Sequence, residues 1–445
     1  MLGESELRRM AETALSASKA DQAEVLALAT RTALTRFANN YIHQNVEQQD
    51  TDIRVRVVID RKIGVAGGND PSPDGLARVV ERAEELARHQ KPNEDFRSLP
   101  PPQPIPPAEG WSEATARCGP EERAHVVALI CDAAQRAGLV AAGAFRTAAA
   151  EVAVANSLGV WAYHRDTTAD INTVVMGETS SGHAERWTMD VSEIDGETVA
   201  AEAVDRALRS ANPQPLEPGD YEVVLLPYAV ADLLDYFAYL SFGAQAFLEK
   251  RSFMSGRIGE RVMGENITIW DDGLAADTIP QPFDFEGVPK RRVTFVDRGV
   301  ARDVVWDSYT AGKEGRESTG HALPAGNTFG PVPTNMFLQP GDATVDDMIA
   351  DVKRGVFVSR FWYTRPVHPL HVIVTGMTRD GTFLIENGKI VAPIKNLRFT
   401  QGYVEALNNV DLIGKDTMLT QAIAGVSRVP ALKIRKWSFT GATQF

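Results

Sequence analysis

Gly381-Thr-Phe-Leu-Ile-Glu386, Asn387-Gly388 and Lys389-Ile-Val-Ala-Pro393 follow one another near the C-terminal end of this chain. Two apolar runs joined by Asn-Gly predict a β-hairpin, because both turn residues tolerate the positive φ that a two-residue loop needs. Working back from the hairpin, strand-like segments recur at 372–375, 355–363, 335–338, 304–306, 292–296 and 267–270. Before them, Tyr221-Glu-Val-Val-Leu-Leu226 reads as a strand that ends at Pro227. Leu233, Phe237, Leu240, Ala244 and Phe247 then recur at helical spacing and read as one core face. The C-terminal half is expected to be strand-dominated with few helices.

Pro213, Pro215 and Pro218-Gly219 punctuate a boundary ahead of this region. The N-terminal half reads differently. Helices are expected at 4–19, 73–89, 120–137 and 198–210, and strands at 144–155 and 160–176. Asp52-Ile-Arg-Val-Arg-Val-Val-Ile59 alternates as a half-buried strand does. Gly64-Val-Ala-Gly-Gly68 reads as a turn and short strand; it lacks the Lys-Ser/Thr of a phosphate loop. Pro100-Pro-Pro-Gln-Pro-Ile-Pro-Pro107 has too few backbone donors for helix or sheet interior and is expected to be an extended, wrapping segment. The order strands, Gly-containing turn, helix occurs twice, around Gly64 and around Gly182, which points to a diverged internal repeat. The fold class is α+β: an N-terminal α/β domain over 1–212, with 100–107 inside it, and a strand-rich C-terminal domain over 220–445.

The net charge of −13 argues against nucleic acid as the main partner, since an acidic surface repels phosphate backbones. No stretch approaches the ~20 apolar residues of a membrane span. Met1-Leu2-Gly3-Glu4-Ser5-Glu6 lacks the basic and apolar regions of a signal peptide. Cys118 and Cys131 form no CxxC pair and read as buried filler, which suits a reducing cytoplasm.

Several C-terminal strings, taken in order, resemble the TldD/TldE (PmbA) family of peptidases. They are Val223-Val-Leu225, Ser255-Gly-Arg-Ile-Gly259, Asp271-Asp-Gly273, Pro282-Phe-Asp-Phe-Glu-Gly287, Ser318-Thr-Gly-His321, Thr375–Gly388 and Asn396-Leu-Arg-Phe399. The resemblance implies an N-terminal α/β domain, a barrel-like C-terminal domain and a dimer of a TldD-type with a TldE-type chain. It implies a His-Glu-x-x-x-His zinc motif in the TldD-type chain, and degradation or trimming of unfolded peptides by the pair.

Hydrolysis by zinc needs three protein ligands, an open position for water and a general base. Two His five residues apart lie about 140° around a regular helix, so a motif helix must be locally widened to converge them. Carried over from the resemblance, the first His position is Asp235, the Glu position Tyr236 and the second His position Leu240. Only Asp235 has a usable donor, and the late Cys ligand has no counterpart in 416–430. The chain is therefore expected to be zinc-free itself, with zinc in a TldD-type partner. Two other histidine groupings fall short of a metal site. His368-Pro-Leu-His371 would splay in an extended strand, and His183 shares a strand face with Glu185 but finds no third ligand nearby in sequence.

Ser318, Thr319 and His321 are candidates for contact with a peptide or a partner, and His321 is a catalytic candidate. With Ser318 or Ser308 and Asp307 it would imitate a Ser-His-Asp set, although no Gly-x-Ser-x-Gly elbow is present. Thr378-Arg379-Asp380-Gly381 reads first as a turn; Arg379 and Asp380 are candidates for contact with a peptide carboxylate or a partner. Three functions stand open: a zinc-free TldE/PmbA-like subunit, a hydrolase with a non-zinc mechanism, and a non-catalytic homo-oligomeric peptide-binding protein.

Overall fold

The computed structural model describes residues 1–443, so the last two residues of the expected C-terminal domain lie outside the described residues. The chain first lays down α1 (Glu4–Ala17), β1 (Gln22–Ala38), β2 (Tyr41–Ile59), β3 (Lys62–Gly68) and α2 (Pro73–His89). After α3 (Glu113–Arg117) come α4 (Pro120–Arg136), β4 (Val140–Asn156), β5 (Trp161–Met176), β6 (Ser181–Thr188) and α5 (Gly196–Arg209). The six strands make one antiparallel sheet in the order β3-β2-β1-β4-β5-β6. Local signals explain the helix starts. Ser72 caps α2 through Gly75 N with Pro73 in the first turn, and Asp195 caps α5 through Glu197 N.

The helix–three strands–helix order therefore appears twice, with the two copies joined along the β1–β4 ladder. The glycines around which the repeat was read do the same job in both copies. A Cβ on Gly64 would lie 2.0 Å from Ala83 O, and one on Gly182 would lie 2.1 Å from Ala203 O. Each lets its helix backbone sit directly on a strand. Gly64→Ala and Gly182→Ala are each expected to lose about 1–3 kcal/mol in urea unfolding. Gly67→Ala, which would meet only Ile53 O at 3.4 Å, serves as the mild control.

One face of the sheet carries the helices. Val25, Ala27, Ile53 and Val55 pack with Leu7, Met10, Leu76 and Val80, while Phe145, Ile171 and Val175 pack with Val127, Ile130 and Val199. The other face meets the second half of the chain through Leu26, Val154, Ala162 and Phe283. β1 is thus covered on both faces. Its Ala- and Leu-rich sequence shows no alternation, which is why the periodicity reading passed over it. The Pro-rich segment has no regular structure; Pro100 O accepts from Asn156 Nδ2 and Ile105 packs into the inter-sheet cluster.

The second half opens with β7 (Gly219–Leu225), α6 (Pro227–Leu240) and α7 (Ala244–Leu248). The apolar stripe 233–247 is not one helix. The chain turns at 241–243, where a Cβ on Gly243 would lie 2.3 Å from Pro331 O, so the second helix starts in a new direction. There follow β8 (Ile269–Asp271), β9 (Val293–Asp297), β10 (Val300–Ala301), β11 (Asn335–Leu338), β12 (Arg354–His368) and β13 (Ile373–Glu386). β14 (Lys389–Pro393), β15 (Leu397–Gly402), β16 (Val410–Ala422) and β17 (Gly425–Ala442) complete the sheet. Ladders β7–β12, β12–β13, β13–β15, β15–β17 and β17–β7 close a ring, so the domain is barrel-like. Val223, Val356, Val358, Phe399, Ile434 and Trp437 belong to its core.

The Asn387-Gly388 hairpin is present, with φ of 48° and 75° at the turn and Glu386 paired to Lys389. Two strand expectations need correction. Residues 304–306 form no strand: only Val305 makes an isolated bridge, to Gly243. Residues 378–381 are not a turn but the middle of β13, which runs unbroken from 373 to 386. Ser359 there faces the Asp380–Gly381 pair as a bulge, with φ of 54° and 115° at those two residues. The Asp-Gly pair expected as a turn instead sits at positive φ within the strand, because the bulge takes up the extra residue without reversing the chain.

Candidate functional site

β7 is followed by Leu226, whose N–H donates to Val358 O, and Pro227 opens α6 in the first helical turn. The helix thereby presents Tyr228, Asp232, Asp235 and Tyr236 near β6 and the β12–β13 and β16–β17 ladders. Asp232 accepts from Tyr403 Oη at 2.6 Å and from Thr364 Oγ1 at 2.7 Å. Asp235 accepts from Ile423 N at 3.1 Å. Tyr228 Oη donates to Glu202 Oε1 at 2.9 Å and takes hydrogen bonds from Arg186 Nη1 and Glu185 N. Opposite, β6 supplies His183 and Glu185, whose Nε2 and Oε2 are 3.6 Å apart, with the His183 ring edge-on to Tyr228. His183 Nδ1 is buried without a hydrogen-bond partner among the described residues. β12 and β13 add Arg360, whose Nε donates to the buried Asp380 Oδ2 at 2.6 Å.

This is a cluster of carboxyls crowded away from water. Burial, with Asp232 and Glu185 adding repulsion, pushes Asp235 up to about 7. Burial pushes Glu185 to about 7 as well, although Arg360 opposes the shift. Asp232 rises to about 6 by burial, restrained by Tyr403 and Thr364. His183 is held well below its ordinary value by burial and by Arg360, Arg206 and Arg186, so it is a neutral imidazole. Carboxyls that hold a proton near neutrality can donate or accept hydrogen bonds along a peptide backbone.

Asp235 binds a proton in the folded chain that the unfolded chain releases between its ordinary value of 3.8 and about 7. Its contribution to stability therefore falls as pH rises through that window. Asp235→Asn is expected to flatten this slope and to raise the melting temperature at pH 8 more than at pH 5. Equal shifts at both pH values would count against the carboxyl's being buried and protonated.

The expected zinc-motif positions do not form a metal site. Asp235 is engaged by Ile423, the Tyr236 ring stacks edge-on against Tyr403 at 5.8 Å, and Leu240 is buried in the apolar core without a donor. Among the described residues no group of three or more His, Cys, Asp or Glu could hold a metal ion.

The remaining candidates are dispersed. His321 is 1% exposed; its Nε2 lies 2.9 Å from Asp271 Oδ1 and its Nδ1 3.0 Å from Thr319 Oγ1. Ser318 Oγ donates to Trp306 O instead, and Asp307 caps the helix Ser308–Lys313 through Thr310 N. The Ser-His-Asp set weighed from sequence is therefore not assembled, and its carboxylate partner is Asp271. Arg379 is exposed and stacks over Trp362 at 5.2 Å, while Asp380 is buried against Arg360, so the two do not act as one exposed pair. His368 and His371 do converge, with ring centroids 4.6 Å apart, because Pro369–His371 is a helical turn rather than strand. Sequence reading missed Glu185 as a neighbour of Asp235, because no local spacing relates β6 to α6.

Family models match along most of the chain: PmbA/TldA metallopeptidase domain 1 over 23–87, its central domain over 120–211 and its C-terminal domain over 218–441. The chain belongs to the TldD/TldE (PmbA) family. An uncharacterized protein of Methanocaldococcus jannaschii is 31% identical over 58% of this chain and 62% of its own length. Matches to two further archaeal metalloproteases cover 51% and 50% of those proteins, so the chain spans about half to three-fifths of these relatives. Metalloprotease PmbA of Escherichia coli O157:H7 is 24% identical over 94% of this chain and 93% of its own. The fold matches that of TldE from Thermococcus kodakarensis, with a TM-score of 0.90, 20% identity and coverage of 98% of this chain and 100% of that one. The family's names are those of metalloproteases, yet Asp235, Tyr236 and Leu240 do not make a zinc-binding donor set. No helix among the described residues is long and apolar enough to cross a membrane.

Proposed function

We propose that this chain is a zinc-free, TldE/PmbA-like subunit of a cytoplasmic TldD/TldE-type peptidase that degrades or trims unfolded peptides. The observation that carries the reading is the substitution of the motif helix: Leu240 fills core where a second ligand would stand, and Asp235 is tied to Ile423. The partner is a TldD-type chain that supplies the zinc. This chain contributes the wall around Asp235 and Glu185 and helps hold a peptide as an added strand, a mode that reads backbone more than side chain.

Metal content by mass spectrometry, alone and after co-expression with a TldD-type relative, tests the proposal. The expected result is less than about a tenth of a zinc per isolated chain and about one per heterodimer. Asp235→Ala is expected to leave both values unchanged. About one zinc per isolated chain would overturn the reading. Failure to pair, with tight peptide binding and no turnover, would replace it with a homo-oligomeric binding protein. Hydrolysis by the isolated chain that survives chelation would replace it with a non-zinc hydrolase.

A further inference from the structure

Where the open face of the first sheet meets the second domain, the two do not close completely. A cavity of about 170 Å³ remains between β1, β4 and β5 on one side and the segments around 281–290 and 321–334 on the other. Leu28, Val152, Phe283 and Phe285 make its walls largely apolar. Cavities of about 150 Å³ lined by apolar side chains take up molecules the size of benzene.

Asp166 gives this cavity a polar end. It projects from β5 on the face shared with Ala162 and His164 and lies across from Ala150 in the β4 ladder. The other ionisable groups of the lining are engaged. His164 Nε2 pairs with Pro280 O, Lys290 Nζ donates to Thr334, His321 is bonded at both nitrogens, and Asp284 accepts from the backbone of 286, 288 and 322. Glu151 accepts from Leu2 and Gly3 N and from Tyr163 Oη. Among the described residues no hydrogen bond or ion pair reaches the half-buried Asp166 carboxyl, and burial alone lifts it to about 7. A water needs two to four polar partners to be well held. Asp166 is the carboxyl of the lining left without a partner, and a cation with an apolar body would pair with it while lying against Leu28, Val152, Phe283 and Phe285.

We propose that this cavity is a binding site for a small primary amine with a short apolar body, whose ammonium pairs with Asp166 and whose hydrocarbon lies against Phe283, Phe285 and Val152. The site is separate from the Asp235–Glu185 cluster and does not depend on the peptidase-subunit reading.

Isoamylamine is the probe, titrated calorimetrically into the full chain, with isoamyl alcohol and isovalerate as neutral and anionic matches of the same shape. The amine is expected to bind, and the alcohol and acid to bind at least about tenfold more weakly, since only the amine pairs with the carboxylate. Asp166→Asn is expected to abolish the preference for the amine. Ala150→Leu, which fills the cavity while leaving the carboxyl, is expected to abolish binding of all three. Absence of amine binding to the wild-type chain overturns the proposal. So does unchanged binding in Asp166→Asn or in a folded Ala150→Leu variant. If Asp166→Asn does not fold, the Ala150→Leu titration and the three-probe comparison on the wild type decide alone.

Discussion

Asp271→Ala is expected to destabilise the chain by about 3–5 kcal/mol, the cost of leaving a buried ionic network without its anion. Asp271 is wholly buried at the end of β8. It accepts from His321 Nε2 at 2.9 Å, Thr334 N at 2.8 Å and Asn335 N at 2.7 Å. Burial works against its charge, but the His321 ring, the Lys290 ammonium and the Asn335 amide outweigh burial and hold it down to about 2. Its partner His321 is kept below its ordinary value by burial and Lys290, so the pair is a carboxylate accepting a hydrogen bond from a neutral ring, with the hydrogen on Nε2. A lowered carboxyl contributes stability that is present above its unfolded value of 3.8 and is lost as pH falls through about 2. The deficit of Asp271→Ala, read by urea unfolding, should be full at pH 7 and shrink below about pH 3. A loss under about 1 kcal/mol would show that the network is not structural and would reopen a chemical role for His321.

Arg56→Met is expected to cost about 3–5 kcal/mol at pH 8 and distinctly less at pH 5. Arg56 on β2 donates to Glu24 of β1 at 2.6 Å and to Glu286 of the second domain at 3.0 Å, and both carboxylates are buried. It is the one cation of a bridge across the inter-domain face, and it stays protonated. Burial, together with repulsion from Glu286, already lifts Glu24 to about 7 despite the Arg56 charge. Glu24 therefore holds a proton in the folded chain that the unfolded chain gives up above about 4.5. Its contribution to stability falls as pH rises from there towards 7. Without Arg56, two carboxylates face each other and the dependence steepens. Glu24→Gln in the Arg56→Met background should recover much of the loss at pH 8. A deficit independent of pH, or no recovery, would mean that packing of the Arg56 stem rather than its charge holds the two domains together.

Much of the fold was legible where local chemistry and packing agree. The helices 73–89 and 120–136 follow from a capping Ser72, prolines in the first turn and one apolar face. The Asn387-Gly388 reversal follows from its two positive-φ residues, and the repeat follows from Gly64 and Gly182, whose missing side chains admit a helix backbone. That Leu240 ligates no metal is also legible, because its side chain has no donor atom in any conformation.

What could not be read depended on partners distant in the chain. β1 and β17 are buried on both sides or paired with several neighbours, so burial overrides the alternation that marks a strand. At the 241–243 break Gly243 packs closely against Pro331, and β13 continues through Asp380 as a bulge opposite Ser359 instead of reversing. His321 looked available because its neighbours are Ser, Thr and Gly, yet Asp271, fifty positions away, fixes it inside the core. The sequence by itself determined which residues are able to turn, cap, or donate to a metal, since those properties belong to single side chains and their nearest neighbours. Tertiary structure alone decided which carboxyls are crowded from water and which find a cation, since desolvation and pairing arise only when segments far apart in sequence pack together.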